Sequence, residues 1–224
     1  QNTMQAFTTA ISSGADSLEC DVQISSDGIP VVFHDSTVDS LTNGSGSVSA
    51  LTLVQLQALK FTAVIGTIVD STKTPTFLDV LTYCKQAGVK LYPEIKGYRT
   101  QADIQLMIDD IYTANMEEQV FIQSFSISDL QYFRTLDNII SLGFLSGETN
   151  PATYEPAIDS VATLGGGFIY WLYSALISTP AIITYAKSKN LDVVAWTVDS
   201  NDNAKILMGL GVNKLMSNIQ LRVL

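Results

Sequence analysis

Three short stretches of this sequence carry side chains whose types and spacing could do chemistry together. In Ser17–Ile24, Glu19 and Asp21 are separated by one residue. Alternate residues of a strand share a face, so the two carboxylates point one way and Leu18, Cys20 and Val22 the other. Two carboxylates on an inner face are costly to desolvate unless something cationic lies between them. An exposed edge strand would carry the same pair without that demand, and spacing alone leaves both readings open. The second stretch, Phe33-His34-Asp35, holds the chain's one histidine. The third, Tyr92-Pro93-Glu94-Ile95-Lys96, puts Glu94 and Lys96 on one face of its strand. A surface ion pair would look alike, but a second strand repeating the pattern favours a site. Glu19, Asp21 and Glu94 offer only oxygen donors, which suits Mg2+ or Ca2+ better than zinc. Lys96 would add a point charge for a phosphate oxygen. His34 would move protons near neutral pH, with Asp35 orienting its ring or capping the loop that follows.

Position depends on the elements that carry these residues. Strand-length apolar runs fall at Ser17–Ile24, Val89–Ile95, Val120–Phe125, Ile139–Leu145, Phe168–Trp171, Val193–Val198 and Lys214–Met216. Helical patterns precede or separate them at Asn2–Ser13, Phe77–Gln86, Ala102–Ala114, Ile127–Leu136, Pro180–Lys189 and Asn201–Gly209. Such alternation predicts a parallel sheet of an α/β protein. The closed form is a TIM (β/α)8-type barrel with its first strand missing, since an eighth strand would precede Asn2. A doubly wound open sheet is the alternative, and it is weakened because no glycine-rich phosphate loop follows the first strand. Barrel sites form at the C-terminal ends of strands, where Glu94 and Lys96 fall. Gln123-Ser124-Phe125 and Trp196-Thr197-Val198 end two further strands, so their aromatic rings either wall a pocket or plug the core.

One stretch breaks the alternation. Ile29–Phe33 follows the first strand after a few residues containing Asp27-Gly28. A parallel crossover needs a dozen or more residues, so this is an antiparallel hairpin with Asp-Gly as its turn. Folding it back sets His34 beside Asp21. Asp35–Thr76 then reads as a loop-rich inserted subdomain with one short helix, Leu53–Lys60, inside a domain spanning residues 1–224.

Bulk composition narrows the function. The chain has 224 residues, slightly short for a barrel of about 250. Its net charge of −10 and pI near 4.3 leave no basic footprint for nucleic acid. No apolar run approaches a membrane span of about 20 residues. Cys20 and Cys84 sit in apolar runs as packed thiols, with a disulfide left open. Few lysines and many Ser, Thr and Asn lean towards an extracellular or particle-borne protein.

Seven segments together resemble the glycerophosphodiester phosphodiesterase family. They are Asn2-Thr-Met-x-Ala-Phe7, Gly14-Ala-Asp-x-Leu-Glu-x-Asp-Val22, Asp27-Gly-x-Pro-Val-Val-x-His-Asp35, Thr42-Asn-Gly-x-Gly46, Pro93-Glu-Ile-Lys96, Gln123-Ser-Phe125 and Trp196-Thr-Val198. The resemblance implies a TIM barrel with a small inserted subdomain, and hydrolysis of small-molecule or polymeric glycerophosphodiesters to an alcohol and glycerol phosphate. It makes Glu19, Asp21 and Glu94 ligands of a divalent metal, Mg2+ or Ca2+. His34 becomes one of two acid–base histidines, Lys96 a phosphate contact, and Trp196 a wall for the glycerol moiety, with Phe125 and Gln123 beside the substrate. In that family the first strand ends in a His-Arg-Gly motif shortly before the Asn-Thr helix, and this sequence begins after that point. Members often carry Arg where Ser40 stands and Thr-Asp where Ser217-Asn218 stand. A chain working with His34 alone would be catalytically impaired, or a non-catalytic module binding glycerol-phosphate polymers. A barrel glycoside hydrolase using two of the carboxylates is a third possibility, but leaves His34 and Lys96 without roles.

Overall fold

The computed structural model describes residues 1–61 and 72–222. The chain forms two compact units, Gln1–Val120 and Phe121–Leu224.

The first unit contains α1 (Met4–Ser12), β1 (Ser17–Ile24), β2 (Pro30–Val32), α2 (Leu53–Ala58), α3 (Phe77–Ala87), β3 (Lys90–Gly97) and α4 (Ile104–Thr113). No strand precedes β1 among the described residues. Its strands lie in the order β2-β1-β3, with β1 antiparallel to β2 and parallel to β3. The hairpin places Val22 opposite Val32 and Ile24 opposite Pro30. Its turn differs from the bare Asp-Gly pair expected. Ser25 N–H donates to Ile29 O at 3.0 Å, so three residues span the bend, and Gly28 adopts φ +81°. Asp27 serves as a brace instead: its Oδ1 accepts from Ser25 Oγ at 2.7 Å and from Leu53 N at 3.0 Å.

β1 splits by parity as its sequence requires. Leu18, Cys20 and Val22 are buried towards the helix layer, while Asp21 and Gln23 are buried on the opposite face. α3 covers the apolar side with Phe77, Val80, Leu81 and Cys84. It starts at a reciprocal Thr76/Asp79 capping box and stops at Gly88, whose left-handed φ of 69° ends it without a Cβ penalty. Cys20 and Cys84 are free thiols. Burial raises both, Cys84 to about 12, with Glu19 and Asp21 adding to the effect on Cys20, so both behave as packed apolar groups.

The segment after β2 packs on the hairpin. Val31 and Phe33 join Val38, Val48, Leu56 and Phe61 in one small core, and the chain is pinned by the bridges Thr37↔Ser47 and Thr42↔Phe61. Residues 62–71 of the expected insertion, 35–76, lie outside the described residues.

The second unit contains β4 (Phe121–Ser124), α5 (Ile127–Leu136), β5 (Ser141–Ser146), α6 (Pro151–Thr163), β6 (Phe168–Leu172), α7 (Tyr173–Ser178), α8 (Ala181–Ser188), β7 (Asp192–Trp196), α9 (Asn201–Gly209) and β8 (Lys214–Leu215). Its strands run parallel in the order β4-β5-β6-β7-β8. Such strands are covered by helices and read as continuous apolar runs; Ile169, Trp171, Val193 and Ala195 pack with Ile158, Leu176, Ile182 and Leu207 in one core. Two helices here go beyond the sequence expectation. α6 carries Pro151 and Pro156, which read as breakers. Pro151 sits in the first turn, where no N–H is missed, and Asn150 caps the helix by accepting from Ala152 N at 3.0 Å. α7 follows β6 without a loop, so no turn residue announces it.

Candidate metal and acid–base site

β1 and β3 set the carboxylates in place. Parallel pairing puts Asp21 opposite Glu94. Glu19, Asp21 and Glu94 each bring one carboxylate oxygen to within 4.8 Å of the others. Two oxygens bound to one Ca2+ at 2.3–2.6 Å are at most about 5 Å apart, so this spacing fits a shared cation. Asp21 is 4% exposed and Glu94 8%, and Glu19 stands nearest the solvent. Burial raises the Glu94 carboxyl above its usual range; Lys96 opposes this and Asp21 adds to it. A buried pair of like charges with exclusively oxygen donors is the environment a hard dication stabilises. The three residues therefore fit the ion their chemistry implies.

Lys96 supplies positive charge from the chain itself. Its Nζ lies 3.4 Å from Asp21 Oδ1 and 3.3 Å from Glu94 Oε1. Burial pulls its ammonium down, but the attraction of Glu94 and Asp21 outweighs burial and leaves it above its ordinary value. The local backbone aims this side chain: the β1–β3 register slips after Val22↔Ile95, so that Gln23 pairs with Gly97 and Lys96 is the extra residue. Bulges of this kind turn a side chain off its regular course at a strand end.

His34 follows directly from the hairpin, where Phe33 N–H donates to Asp21 O at 2.9 Å. Its Nδ1 lies 2.7 Å from Asp35 Oδ1, and Ser40 Oγ donates to Asp35 Oδ2. Those two hydrogen bonds, from His34 first and Ser40 second, hold the Asp35 carboxyl below its usual range. An ionised carboxylate only accepts, so Nδ1 carries the proton and Nε2 keeps its lone pair in the neutral ring. The imidazole is 42% exposed and within electrostatic reach of Glu94. The Asp35 contact thus selects the tautomer and leaves Nε2 as the acceptor of an accessible ring.

Two residues without an expected role complete the arrangement. Asn2 Nδ2 donates to Asp21 Oδ2 at 2.7 Å, and Asn2 Oδ1 accepts from Asp21 N at 3.1 Å. Its backbone is left-handed, φ 56°, a region asparagine tolerates better than most residues. Thr3 then caps α1 by accepting from Ala6 N at 3.2 Å, so helix start and carboxylate brace are one device. Gln23 Nε2 donates to Phe33 O at 2.7 Å and Asp35 O at 2.6 Å. Its spacing of two and four residues from Asp21 and Glu19 was the available signal. Of the expected site residues, Glu19, Asp21, His34, Glu94 and Lys96 belong to the first unit. Gln123, Phe125 and Trp196 belong to the second, where Gln123 is buried and the Phe125 and Trp196 rings meet edge-on with centroids 5.7 Å apart.

The sequence profile of the Glycerophosphoryl diester phosphodiesterase family matches residues 1–219. The chain belongs to that family. Among relatives of this glycerophosphoryl diester phosphodiesterase family chain, a glycerophosphodiester phosphodiesterase of Caldanaerobacter subterraneus subsp. tengcongensis is 27% identical, covering 97% of this chain and 88% of the relative. Glycerophosphodiester phosphodiesterase 1 of Bos taurus is 26% identical over 90% of this chain and 69% of its own. An Oleispira antarctica phosphodiesterase solved with the product sn-glycerol-3-phosphate superposes with a TM-score of 0.87 at 23% identity, covering 97% of this chain and 87% of that one. The glycerophosphodiester phosphodiesterase structure from Agrobacterium tumefaciens gives 0.81 at 20% identity, over 97% and 90%. The fold is thus the α/β, TIM-barrel type of the glycerophosphoryl diester phosphodiesterases, and the chain takes its place among phosphoric diester hydrolases. No helix among the described residues is long and apolar enough to cross a membrane.

Proposed function

We propose that this chain hydrolyses glycerophosphodiesters to an alcohol and glycerol phosphate, using His34 for proton transfer and a carboxylate-held divalent cation. The observation that carries this is the convergence of Glu19, Asp21 and Glu94 with Lys96 within 3.4 Å of two of them, in a chain of this family. Glu19, Asp21 and Glu94 would hold the ion, Mg2+ or Ca2+. When bound, it supplies Lewis-acid neutralisation of charge on the phosphodiester's non-bridging oxygens.

The chain's own groups do the rest. Lys96 Nζ offers N–H donors to a phosphate oxygen as negative charge builds there. His34 Nε2 accepts the proton of the attacking hydroxyl, which we take to be the glycerol 2-hydroxyl. The new O–P bond forms as the P–O bond to the alcohol breaks, and water then opens the cyclic phosphate to glycerol phosphate. Asp35 stabilises the imidazolium that His34 becomes, and Ser40 steadies Asp35. The resemblance implies a second histidine for the leaving alcohol; these 224 residues hold His34 alone, so here that alcohol takes its proton from solvent water and turnover is slow. For the second unit, taken by itself, the resemblance alone assigns Trp196 to a glycerol moiety and Phe125, whose ring it meets edge-on, and Gln123 to substrate binding.

Phosphorus-31 NMR of the protein with a glycerophosphodiester and either Mg2+ or Ca2+ tests this. The diester signal is expected to give way to glycerol phosphate, and chelation is expected to stop the conversion. Binding of diester without any glycerol phosphate would instead return the chain to a binding module. Conversion untouched by chelator would remove the cation from the mechanism.

A further inference from the structure

Gln23 sits on β1 beyond Glu19 and Asp21, on the same face, and is 5% exposed. Its amide nitrogen serves carbonyls on both sides of the histidine, Phe33 O at 2.7 Å and Asp35 O at 2.6 Å, with His34 O at 3.4 Å. Its other end is equally confined. Gly97 pairs with Gln23 across the β1–β3 bulge, and a Cβ at Gly97 would come within 3.1 Å of Gln23 Oε1 and 3.4 Å of Cγ. The residue skipped by that bulge is Lys96. One side chain therefore holds the backbone that carries His34 while filling space kept open by the strand end that aims Lys96.

We propose that Gln23 is a positioning residue for the reaction: its buried amide fixes His34, and through the Gly97 bulge Lys96, against the carboxylate cluster. The proposal rests on the acid–base role assigned to His34 above. Gln23 touches no reacting atom and acts through the backbone on either side. A residue serving stability alone would weaken folding on removal and leave the imidazole where it is. A positioning residue moves the ring, and a displacement of about 1 Å is enough to lose about a hundredfold in rate.

Gln23→Met keeps the side chain's length but removes both N–H donors, and Gln23→Ala removes the side chain as well. Because the chain has one histidine, its imidazole resonances are unambiguous in an NMR spectrum. Both variants are expected to shift and broaden the His34 imidazole signal and to lower kcat about tenfold to a hundredfold. KM and calorimetric cation affinity should stay close to wild type. Gly97→Ala crowds the same amide from the other side and should act in the same direction, more weakly. An unchanged imidazole signal in folded Gln23→Met overturns the proposal, as does a kcat loss that merely follows lost cation binding. If the wild type hydrolyses no glycerophosphodiester, the functional reading falls. The imidazole signal then decides the clamp alone, a shift supporting it and no shift overturning it.

Discussion

Replacing His34 by alanine is expected to lower kcat by about 10²–10⁴-fold, the usual worth of one acid–base group, and to leave cation affinity near the wild-type value. The asymmetry follows from the geometry. Nδ1 is engaged with Asp35 and the ring is 42% exposed, which leaves Nε2 as the nitrogen available for proton transfer. His34 is thus a poor candidate for an ion ligand and a good one for moving a proton. Steady-state kinetics and a calorimetric cation titration on one preparation check both halves. Loss of cation binding in His34→Ala would make the imidazole a ligand. Retained kcat would show that proton transfer runs through another group.

The second large effect concerns Lys96, and it should appear first in stability. Asp21 and Glu94 are buried carboxylates, and Lys96 Nζ stands within 3.4 Å of an oxygen on each. Breaking a buried ion pair by removing one partner typically costs about 3–5 kcal/mol. The Lys96 side chain is 27% exposed, so water recovers part of that loss and about 2–3 kcal/mol is the expected cost of Lys96→Met in chelator. A dication at the three carboxylates restores compensating charge and binds only the folded state, so saturating Mg2+ or Ca2+ should return most of the loss. Thermal unfolding with and without the ion measures this. The melting-temperature gain on adding cation should be larger for Lys96→Met than for wild type. Equal gains would mean that lysine and cation do not share the carboxylates' charge. The variant's kcat/KM should stay low even when the ion restores stability, because the phosphate contact proposed for Lys96 would be lost.

Much of the site could be read from sequence because it depends on parity and turn length, which are local. Glu19 and Asp21 share a face whatever the rest of the fold does. The short link between Ile24 and Ile29 forces an antiparallel return that carries His34 to Asp21. Glu94 reaches them because parallel neighbours meet in register. What escaped depends on tertiary partners. The i, i+2 rule that joined Glu94 to Lys96 gave a correct neighbour for an incomplete reason, since a bulge at Lys96 sets its aim. Gln23 and Asn2 were ordinary polar residues in the pattern. Strand parity places Gln23 on the face of Glu19 and Asp21, but its partners, like those of Asn2, are carbonyls and a carboxylate brought up by the hairpin and by a left-handed turn. Among the elements, α6 was hidden by Pro151, which the capped first turn accommodates, and by Pro156, which the helix carries in its interior; α7 was hidden by the absence of any turn before it. The hairpin turn itself gave Asp27 a bracing role towards α2 that the Asp-Gly pattern does not reveal.

The proposed chemistry requires one divalent ion at Glu19, Asp21 and Glu94, each of which brings a carboxylate oxygen within 4.8 Å of the others. Calorimetric titration of the wild type with Mg2+ and with Ca2+, set against Glu94→Gln, tests it most directly. The exchange keeps size and hydrogen-bonding reach while deleting one negative oxygen donor. The wild type should bind one dication per chain, and Glu94→Gln should bind it more weakly by over the roughly 10–100-fold that loss of a residue merely bracing a ligand costs. Absence of binding by the wild type, or an unaltered affinity in Glu94→Gln, would contradict the account.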